Sequence, residues 1–268
     1  MKDFSADWLG RREPYDARAR NRTILEAVAA AVADYASIAV VDLACGTGAT
    51  LRAISSHLPR WQSWRLVDND VSLLARAASS PAAGKNIVTT AIDIDRELES
   101  ALDGPVDLVT TSALLDLVSA EWLERLAMEI TARGVLVYGA LTYDGRVTFE
   151  PVDPVDAQIV DAVNRHQRGD KGFGVALGPT AAAEAIARFQ TLRYAVVQGT
   201  SDWALGRLDR EIQTDLLVGW AAAAREAGDL TPADVTGWLT RRRDHIASGR
   251  SSMRVGHIDF FARPTGAR

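Results

Sequence analysis

Short apolar runs alternate with segments of helical periodicity along the first half of the chain. The runs are rich in Val, Ile and Leu, as is typical of buried parallel strands. They occupy residues 38–41, 64–67, 87–92, 106–110 and 134–141. Between the runs, apolar residues recur at helical spacing, for example at Leu51, Ile54 and Leu58. This alternation predicts an α/β fold with right-handed crossovers, a mainly parallel sheet and helices on both faces.

The second half of the chain departs from this regular alternation. Residues 192–197 and 254–261 have the composition of a sixth and a seventh strand. The segment between these strands is far longer than a hairpin loop and has helical periodicity. We therefore predict an N-terminal segment at 1–37 and a main domain at 38–268. The main domain is expected to carry helical insertions at about 153–178 and 204–249, after strands 5 and 6.

Composition narrows the class of protein. The chain has 268 residues, of which 47% are hydrophobic, enough for a sizeable core. Its single cysteine, Cys45, excludes an intrachain disulfide framework and a cysteine-rich metal site, and we predict no metal site. The net charge of −5 disfavours nucleic acid as a partner, and Arg241, Arg242 and Arg243 are interpreted as a solvated helix face.

No targeting segment is evident in the sequence. The first residues lack an apolar signal core, and no apolar run reaches the length of a membrane span. We therefore expect a cytoplasmic protein without membrane contact, present as a monomer or a homodimer.

The loop after the first apolar run carries the clearest chemical information. Gly46 and Gly48 let the backbone approach a ligand closely between a strand end and a helix start. A dinucleotide-binding fold needs a third glycine where this chain has Leu51. Asp42 lies at the strand end, where a carboxylate suits a ligand with a cationic amine better than a pyrophosphate.

Asp42, Gly46 and Gly48 fit the pattern apolar-apolar-Asp-apolar-x-x-Gly-x-Gly. This stretch resembles motif I of the class I S-adenosylmethionine-dependent methyltransferases, and a glycine turn in an unrelated α/β protein is the alternative. The resemblance implies a Rossmann-like seven-stranded methyltransferase sheet, S-adenosyl-L-methionine as cofactor and S-adenosyl-L-homocysteine as product. It extends from motif I through the fifth strand, whereas the last third matches only as an order of elements.

The strand ends supply further candidates for the cofactor site. Asp68 follows the second strand, where a carboxylate can accept hydrogen bonds from both ribose hydroxyls. The resemblance implies that Asn69 lies beside the adenine, that Asp93 takes its amino group and that Ile94 packs on its ring. The alternative role for Asp93 and for Asp95 is to cap the next helix, and this role fits Asp95 better than Asp93. The predicted cofactor-binding residues are Asp42, Ala44, Gly46, Gly48, Asp68, Asn69, Asp93, Ile94, Ser112, Arg12, Tyr15 and Arg20.

Residues ahead of motif I commonly lie over the cofactor pocket in this family. The resemblance therefore makes segment 1–37 a lid, with Arg12, Tyr15 and Arg20 as candidates to close the pocket and meet a carboxylate. A solvated helix start with ordinary surface charges is the alternative. Pro14 is predicted to begin the helix.

The segment after the fourth strand, residues 111–116, resembles motif IV of the small-molecule methyltransferases. By that resemblance Ser112 lines the pocket, and Asp116 either orients a substrate group or caps a turn. Tyr143 either points toward the pocket or covers the sheet end. The candidate catalytic bases are Asp116, Tyr143 and His166.

The polar segment 164–174 is a candidate for substrate contact, because loops carry specificity on a rigid scaffold. Arg165 and Lys171 suggest an anionic group on the substrate, and a plain solvated loop is the alternative. The candidate substrate-binding residues are Tyr143, Arg165, His166, Lys171 and Trp203.

The predicted function is transfer of a methyl group from S-adenosylmethionine to a small-molecule acceptor by in-line displacement. A base is needed only if the acceptor must lose a proton. One alternative is an RNA or protein acceptor, although the chain has no Asn/Asp-Pro-Pro-aromatic motif after the fourth strand. The other is a methyltransferase-like subunit without catalytic activity.

Overall fold

The computed structural model describes residues 5–79 and 85–266, so the first four residues of the predicted N-terminal segment lie outside the described residues. Its strands are β1 (Ser37–Leu43), β2 (Trp61–Asp68), β3 (Lys85–Ala91), β4 (Leu108–Ser112), β5 (Leu136–Glu150), β6 (Tyr194–Thr200), β7 (Trp203–Leu205) and β8 (Ser252–Pro264). Its helices are α1 (Ala6–Ala19), α2 (Arg22–Ala31), α3 (Ala49–Ile54), α4 (Val71–Ala78), α5 (Leu98–Ala101), α6 (Ala120–Arg133), α7 (Asp156–Gln167), α8 (Ala181–Thr191), α9 (Arg210–Ala227) and α10 (Pro232–Ala247).

The strands form one sheet in the order β3-β2-β1-β4-β5-β8-β6. The pairs among β1 to β5 are parallel, and β8 lies antiparallel between β5 and β6. The prediction of a mainly parallel sheet is therefore confirmed. An eighth strand that the sequence did not predict, β7, pairs with β8 and is only three residues long.

Helices cover both faces of the sheet because successive strand side chains point to opposite sides. Val40 of β1 joins an apolar cluster with α2, α3 and α4, whereas its neighbour Val41 joins one with α5, α6 and α8. The carboxyl ends of the parallel strands stay open between the two layers. Ligands of open α/β sheets bind at this edge.

Strand β5 is longer than the sequence predicted. It continues from Leu136 to Glu150, and its pairing with β8 is irregular between Gly139 and Thr142 and again between Tyr143 and Val147. These irregularities let the strand bend away from the parallel sheet and continue as an antiparallel ribbon with β8. Tyr143 therefore lies inside the strand, and its predicted position beyond the strand end is wrong.

Helices α7, α9 and α10 pack against this ribbon, and we call these three helices the helical lobe. Its core contains apolar side chains from all three helices and from both ribbon strands. Arg242 of α10 is completely buried there, with its guanidinium paired to Asp156 and lying 4.3 Å from the ring centroid of Phe149. The interpretation of residues 241–243 as a solvated face is therefore wrong for Arg242. The buried carboxylate of Asp156 binds its charge.

Helix α1 begins earlier than Pro14. Ser5 caps it by accepting a hydrogen bond from the backbone N–H of Trp8 at 3.2 Å, and Pro14 lies within the helix. The cap decides the start because it satisfies a donor that the first turn leaves unpaired. The prediction that Pro14 begins the helix is wrong.

Within residues 5–79 and 85–266, no helix has the length and apolar character needed to cross a membrane. In the same part of the chain, no three His, Cys, Asp or Glu side chains are grouped so that they could hold a metal ion.

Candidate functional site

A pocket opens at the carboxyl ends of β1, β2 and β4, and we call it the loop pocket. Its walls are the loop 44–50 after β1, residues 68–70 after β2 and residues 112–114 after β4. Helix α1 covers its remaining side with Leu9, Arg12 and Asp16. Elements distant in sequence converge here because parallel strands end at one edge of the sheet.

The glycines shape the wall after β1. Gly46 and Gly48 have φ angles of 53° and 81°, in the left-handed region that favours glycine. A Cβ atom at Gly46 would lie 3.1 Å from Leu9 Cδ1. The loop can thus approach α1 and a ligand only with a bare backbone at this position.

Asp68 connects two walls of the loop pocket. Its Oδ2 accepts a hydrogen bond from the backbone N–H of Gly46 at 2.8 Å, and its Oδ1 accepts one from that of Asp70 at 3.0 Å. Burial raises the pKa of Asp68, and these two backbone donors lower it in part. The carboxylate is held rigidly at the pocket surface and retains acceptor capacity for a ligand.

Asp42 and Arg20 lie buried beneath the loop pocket. Asp42 Oδ1 accepts a hydrogen bond from the Thr110 hydroxyl at 2.6 Å, while its Oδ2 has no partner among the described residues. Burial raises the pKa of Asp42 to about 7 despite the nearby charge of Arg20. Arg20 donates to the hydroxyls of Tyr138 and Ser112, each at 3.3 Å, and its Nε has no partner within the described ranges. Buried polar atoms without partners are rare, so this pair points to a polar ligand.

A smaller recess, which we call the side pocket, continues from the loop pocket. Its lining residues are Ala44, Asp68, Asn69, Ile92, Asp93, Ile94 and Phe173. Phe173 comes from the segment after α7 and packs edge-on against Trp122, with ring centroids 5.6 Å apart. The carboxylate of Asp93 also accepts a hydrogen bond from the backbone N–H of Asp95 at 3.2 Å, in the turn before α5. The N-cap of α5 is Glu97 and makes no side-chain cap hydrogen bond, so the alternative that Asp95 caps this helix is wrong.

Helix α1 is fixed on two sides. Toward the core, Glu13 forms hydrogen bonds of 2.6 and 2.7 Å with Arg52, which also donates to the carbonyl oxygen of Thr47 at 2.6 Å. Toward β7, the indole N–H of Trp203 donates to Asp16 Oδ1 at 3.0 Å. The helix therefore joins the loop after β1 to the antiparallel part of the sheet.

Arg12 of α1 faces both the loop pocket and the ribbon. Its guanidinium pairs with Asp16, with Nε and Oδ2 2.8 Å apart, and lies 5.1 Å from the ring centroid of Trp203. Tyr15 packs against the same indole at 6.3 Å and lines neither pocket. Of the three lid candidates, Arg12 therefore lines the loop pocket, Arg20 lies beneath it and Tyr15 faces away.

Four side chains meet behind Arg12, and together with it they form what we call the acceptor cluster: Arg12, Asp116, Tyr143, Trp203 and His257. Tyr143 and His257 pair across β5 and β8 with ring centroids 6.2 Å apart, and the indole of Trp203 lies 5.4 Å from the imidazole. The backbone of Tyr143 lies near the carboxylate of Asp116 and lowers its pKa. All members of the cluster except Arg12 are buried, and they join β5, β7 and β8 with the loop after β4.

Two polar atoms of the acceptor cluster have no partner among the described residues, namely Asp116 Oδ1 and His257 Nδ1. Burial raises the pKa of Asp116 to about 6, although the charge of Arg12 lowers it. Burial and the charge of Arg12 lower the pKa of His257 to about 3, so its ring is neutral at physiological pH. The hydroxyl of Tyr143 is engaged, because it donates to Asn164 Oδ1 at 2.7 Å.

The other predicted substrate and base residues lie elsewhere. Arg165 Nε is 3.0 Å from Asp229 Oδ2, and His166 Nε2 is 2.9 Å from Glu226 Oε2. Lys171 donates to the carbonyl oxygen of His166 at 3.0 Å. These groups pair within the helical lobe because the end of α7 faces the acidic end of α9. None of them lines the loop pocket or the side pocket.

Asp259 is an organising residue that sequence reasoning missed. It is fully buried and accepts hydrogen bonds from the backbone N–H of Asn21 at 2.9 Å and of Leu141 at 2.8 Å, and from the hydroxyl of Tyr138 at 3.1 Å. It thereby positions the start of α2 and the bend of β5 beside Arg20. An aspartate within the apolar run 258–261 could have identified it, because a buried carboxylate requires donors.

No protein-family model and no curated protein sequence matches the chain. Solved structures do match. A candidate methyltransferase from Bacillus halodurans C-125 has 13% identity over 91% of this chain and 100% of its own, with a TM-score of 0.50. A candidate type II methyltransferase from Anaeromyxobacter dehalogenans has 15% identity over 91% of this chain and 96% of its own, also with a TM-score of 0.50. The chain therefore has the Rossmann-like methyltransferase fold, which confirms the predicted fold class.

Proposed function

We propose that this protein is an enzyme that binds S-adenosyl-L-methionine in the loop pocket and methylates a small-molecule acceptor. One observation carries the proposal: Arg12 connects the loop pocket to a buried cluster whose carboxylate, Asp116, has an unpartnered oxygen. A candidate cofactor pocket and a buried candidate base thus both lie beside Arg12.

The polar atoms beneath the loop pocket fit the amino-acid end of this cofactor. The free Oδ2 of Asp42 suits an ammonium group, and the free Nε of Arg20 suits a carboxylate. Both atoms are buried, so a ligand that pairs with them would relieve the desolvation of two unpaired groups.

The opposite end of the pocket fits a nucleoside. Asp68 can accept hydrogen bonds from ribose hydroxyls, and the side pocket offers Ile94 and Phe173 as apolar walls for a base. Asp93, which is about half exposed there, can accept a hydrogen bond from an exocyclic amine. The residues present therefore fit the cofactor that the fold implies.

When bound, S-adenosylmethionine supplies an electrophilic methyl group on a sulfonium. The chain's own contribution is to orient the acceptor, exclude water and remove a proton. Asp116 is the proposed base, because its Oδ1 is free and its pKa of about 6 leaves it mostly ionised at neutral pH. Tyr143 and Trp203 are proposed to line the acceptor site.

The enclosure of the acceptor cluster favours a small acceptor over a macromolecule. Its members other than Arg12 are buried, and the guanidinium of Arg12 lies over the indole of Trp203. Arg241 and Arg242 of α10 are paired with Asp153 and Asp156. Their charge is therefore neutralised within the lobe.

Two measurements test the proposal. Isothermal titration calorimetry with S-adenosylmethionine is expected to give saturable binding, and no binding at millimolar ligand to the folded protein would refute the cofactor. Incubation of the enzyme with methyl-labelled cofactor and a small-molecule filtrate of cell lysate is expected to label low-mass products. Binding without labelling of any product would instead support a non-catalytic subunit.

A further inference from the structure

We propose that the hydroxyl of Ser112 donates a hydrogen bond to a carboxylate of the ligand in the loop pocket. Three buried residues, Arg20, Tyr138 and Asp259, are positioning residues that orient this hydroxyl. The inference rests on the proposed function, because the cofactor is the ligand concerned. It goes further by assigning the selection of a carboxylated cofactor to a chain of residues that begins on β8.

A continuous chain of hydrogen bonds connects β8 with the wall of the loop pocket. The hydroxyl of Tyr138 donates to Asp259 Oδ2 at 3.1 Å and accepts a hydrogen bond from Arg20 Nη1 at 3.3 Å. Arg20 Nη2 in turn donates to Ser112 Oγ at 3.3 Å. Ser112 lines the loop pocket, whereas Asp259 and Tyr138 are fully buried. The chain therefore runs from a buried carboxylate to a side chain that a ligand in the pocket can reach.

The direction of each hydrogen bond in the chain is fixed by its neighbours. The carboxylate of Asp259 already accepts hydrogen bonds from the backbone N–H groups of Asn21 and Leu141, at 2.9 and 2.8 Å. At the other end, a guanidinium offers only donors. The hydroxyl of Tyr138 therefore donates toward Asp259 and accepts from Arg20.

The proton of the Ser112 hydroxyl remains available to a ligand. A hydroxyl has one donor and two lone pairs, and a lone pair of Ser112 Oγ accepts the hydrogen bond from Arg20. Within the described parts of the chain, no oxygen or nitrogen accepts a hydrogen bond from Ser112 Oγ in return, and the side chain borders the pocket. A ligand group that meets this hydroxyl is therefore expected to be an acceptor.

The charge behind Ser112 favours an anionic acceptor. Arg20 is only 7% exposed, and within residues 5–79 and 85–266 no carboxylate oxygen lies within 4.0 Å of its guanidinium nitrogens. Its two hydrogen-bond partners are hydroxyls, and its Nε has no partner in these ranges. A buried cation without an ion pair is costly. A ligand carboxylate at Ser112 Oγ would bring a negative charge beside Arg20 and accept the hydroxyl proton.

Asp259 also has a structural role, which the test must separate from positioning. Its Oδ1 accepts the backbone N–H of Leu141, whose φ of 52° lies in the left-handed region. The carbonyl oxygen of the preceding residue, Ala140, accepts the backbone N–H of Ala113 in the pocket wall at 3.0 Å. Tyr138→Phe is the sharper variant, because it removes the hydroxyl of the chain and keeps the backbone contacts of Asp259.

The first experiment compares two ligands on the wild-type protein by isothermal titration calorimetry. S-adenosylhomocysteine carries the carboxylate, whereas its decarboxylated analogue keeps only the amine. We expect the Kd of the analogue to be at least about tenfold higher, the effect of one charge-assisted hydrogen bond. Equal Kd values would overturn the inference while the proposed function stands. If the folded protein binds neither ligand, the proposed function is refuted, and this inference with it.

The variant Ser112→Ala then measures the contact at the pocket wall. The Kd of S-adenosylhomocysteine is expected to rise about tenfold, and that of the decarboxylated analogue is expected to stay within about twofold. Ser112→Thr keeps the hydroxyl and should retain most of the preference for the carboxylated ligand. An unchanged ratio of the two Kd values in folded Ser112→Ala would overturn the contact.

The variant Tyr138→Phe tests the chain itself. We expect the ratio of the two Kd values to fall about threefold, because Arg20 loses one of its two fixed partners. In a Ser112→Ala background the same substitution should leave the ratio unchanged, since Tyr138 acts on the ligand through Ser112. Independent effects of the two substitutions, or an unchanged ratio in folded Tyr138→Phe, would overturn the positioning role.

Tyr194→Phe is the matched control for a buried tyrosine. The hydroxyl of Tyr194 contacts the carbonyl oxygens of Ile130 and Val135 at 3.2 and 3.1 Å, away from the loop pocket. Its loss should lower the stability of the fold without changing the ratio of the two Kd values. Asp259→Asn replaces Tyr138→Phe if that variant does not fold. The same ratio remains informative there, because a disturbed pocket wall affects both ligands alike.

Discussion

The loop pocket and the acceptor cluster are built in different ways. The loop pocket takes its polar groups from the ends of adjacent parallel strands, and much of its shape comes from backbone, as at Gly46 and Gly48. The acceptor cluster takes its groups from α1, the loop after β4, β5, β7 and β8, all through side chains. Backbone-shaped sites tolerate sequence change, whereas sites made of side chains can change specificity by single substitutions.

The difference has a functional meaning under the proposed activity. A cofactor that every member of a fold uses needs the same backbone cradle, while an acceptor needs side chains that differ from one enzyme to another. The five predictions that follow separate the two regions, because each substitution is expected to affect one region and leave the other intact.

Asp116→Asn should have the largest effect on turnover. Loss of a general base typically lowers kcat by 10² to 10⁴, and we expect about 10³. Wild-type turnover should rise with pH through about 6 as Asp116 loses its proton, and the variant should lack this inflection. Calorimetry should show unchanged cofactor binding. A normal kcat in this variant would show that Asp116 is not the base and only caps the turn.

Arg242→Ala tests the helical lobe that supports the acceptor side. It leaves Asp156 buried without its cation, and we expect the free energy of unfolding to fall by about 3 kcal/mol in urea titrations. Arg243→Ala, at an exposed position on the same helix, should change it by less than about 0.5 kcal/mol. Equal effects of the two substitutions would contradict the buried pairing of Arg242.

Asp68→Ala should weaken the cofactor side by removing both the ribose acceptor and the brace on Gly46. Together these charged hydrogen bonds are worth about 3 kcal/mol. Their loss should raise the Kd of the cofactor, measured by calorimetry, on the order of 100-fold. Asp95→Ala, beside the side pocket, is the control and should bind normally. If Asp68→Ala changes the Kd only slightly, Asp68 is not the residue that binds the ribose.

Asp42 should make cofactor binding depend on pH. Its pKa of about 7 means that the free protein must lose a proton there to hold an ammonium group, so the Kd should fall roughly tenfold from pH 6 to pH 8. The same raised pKa lowers the stability of the unliganded fold as pH rises from 3.8 toward 7, because the native state retains a proton that the unfolded chain has lost. Asp42→Asn should remove the pH dependence of binding.

Phe173→Ala should have the smallest effect, because it removes one aromatic wall of the side pocket. A loss of about 1 kcal/mol corresponds to a roughly fivefold higher Kd for S-adenosylhomocysteine. Val175→Ala, at a side chain that is 74% exposed on the same segment, should leave the Kd unchanged. Circular dichroism would verify that both variants are folded. If Phe173→Ala leaves the Kd unchanged, the segment that carries Phe173 is not part of the cofactor site.

The same contrast explains what the sequence could predict. The pattern of strands and helices led to the correct mainly parallel sheet, because this pattern depends on local periodicity. Asp42 and Asp68 could be named as candidates because each lies at the end of a strand, and Asp93 because the resemblance implies a role for the residue after the third strand. Their predicted positions in or beside one pocket follow from parallel topology alone.

The acceptor side could not be predicted in this way. The bend of β5 decides that Tyr143 meets His257, and no local pattern records a bend that depends on pairing with β8. His166 was a reasonable candidate base by residue type, but α9 supplies Glu226 as its partner. In sequence, Arg242 cannot be distinguished from its exposed neighbours Arg241 and Arg243. It is buried only because of the residues that the folded lobe places around it.

Helix α1 borders both the loop pocket and the acceptor cluster, and it is attached to α3 through Glu13 and to β7 through Asp16. Any outward movement of this helix would expose both spaces at once. Under the proposed function, such a movement would couple the departure of the methylated product and of S-adenosylhomocysteine to a single event. Weakening the Glu13 contact with Arg52 would then speed a turnover limited by release and leave the methyl-transfer step itself unchanged.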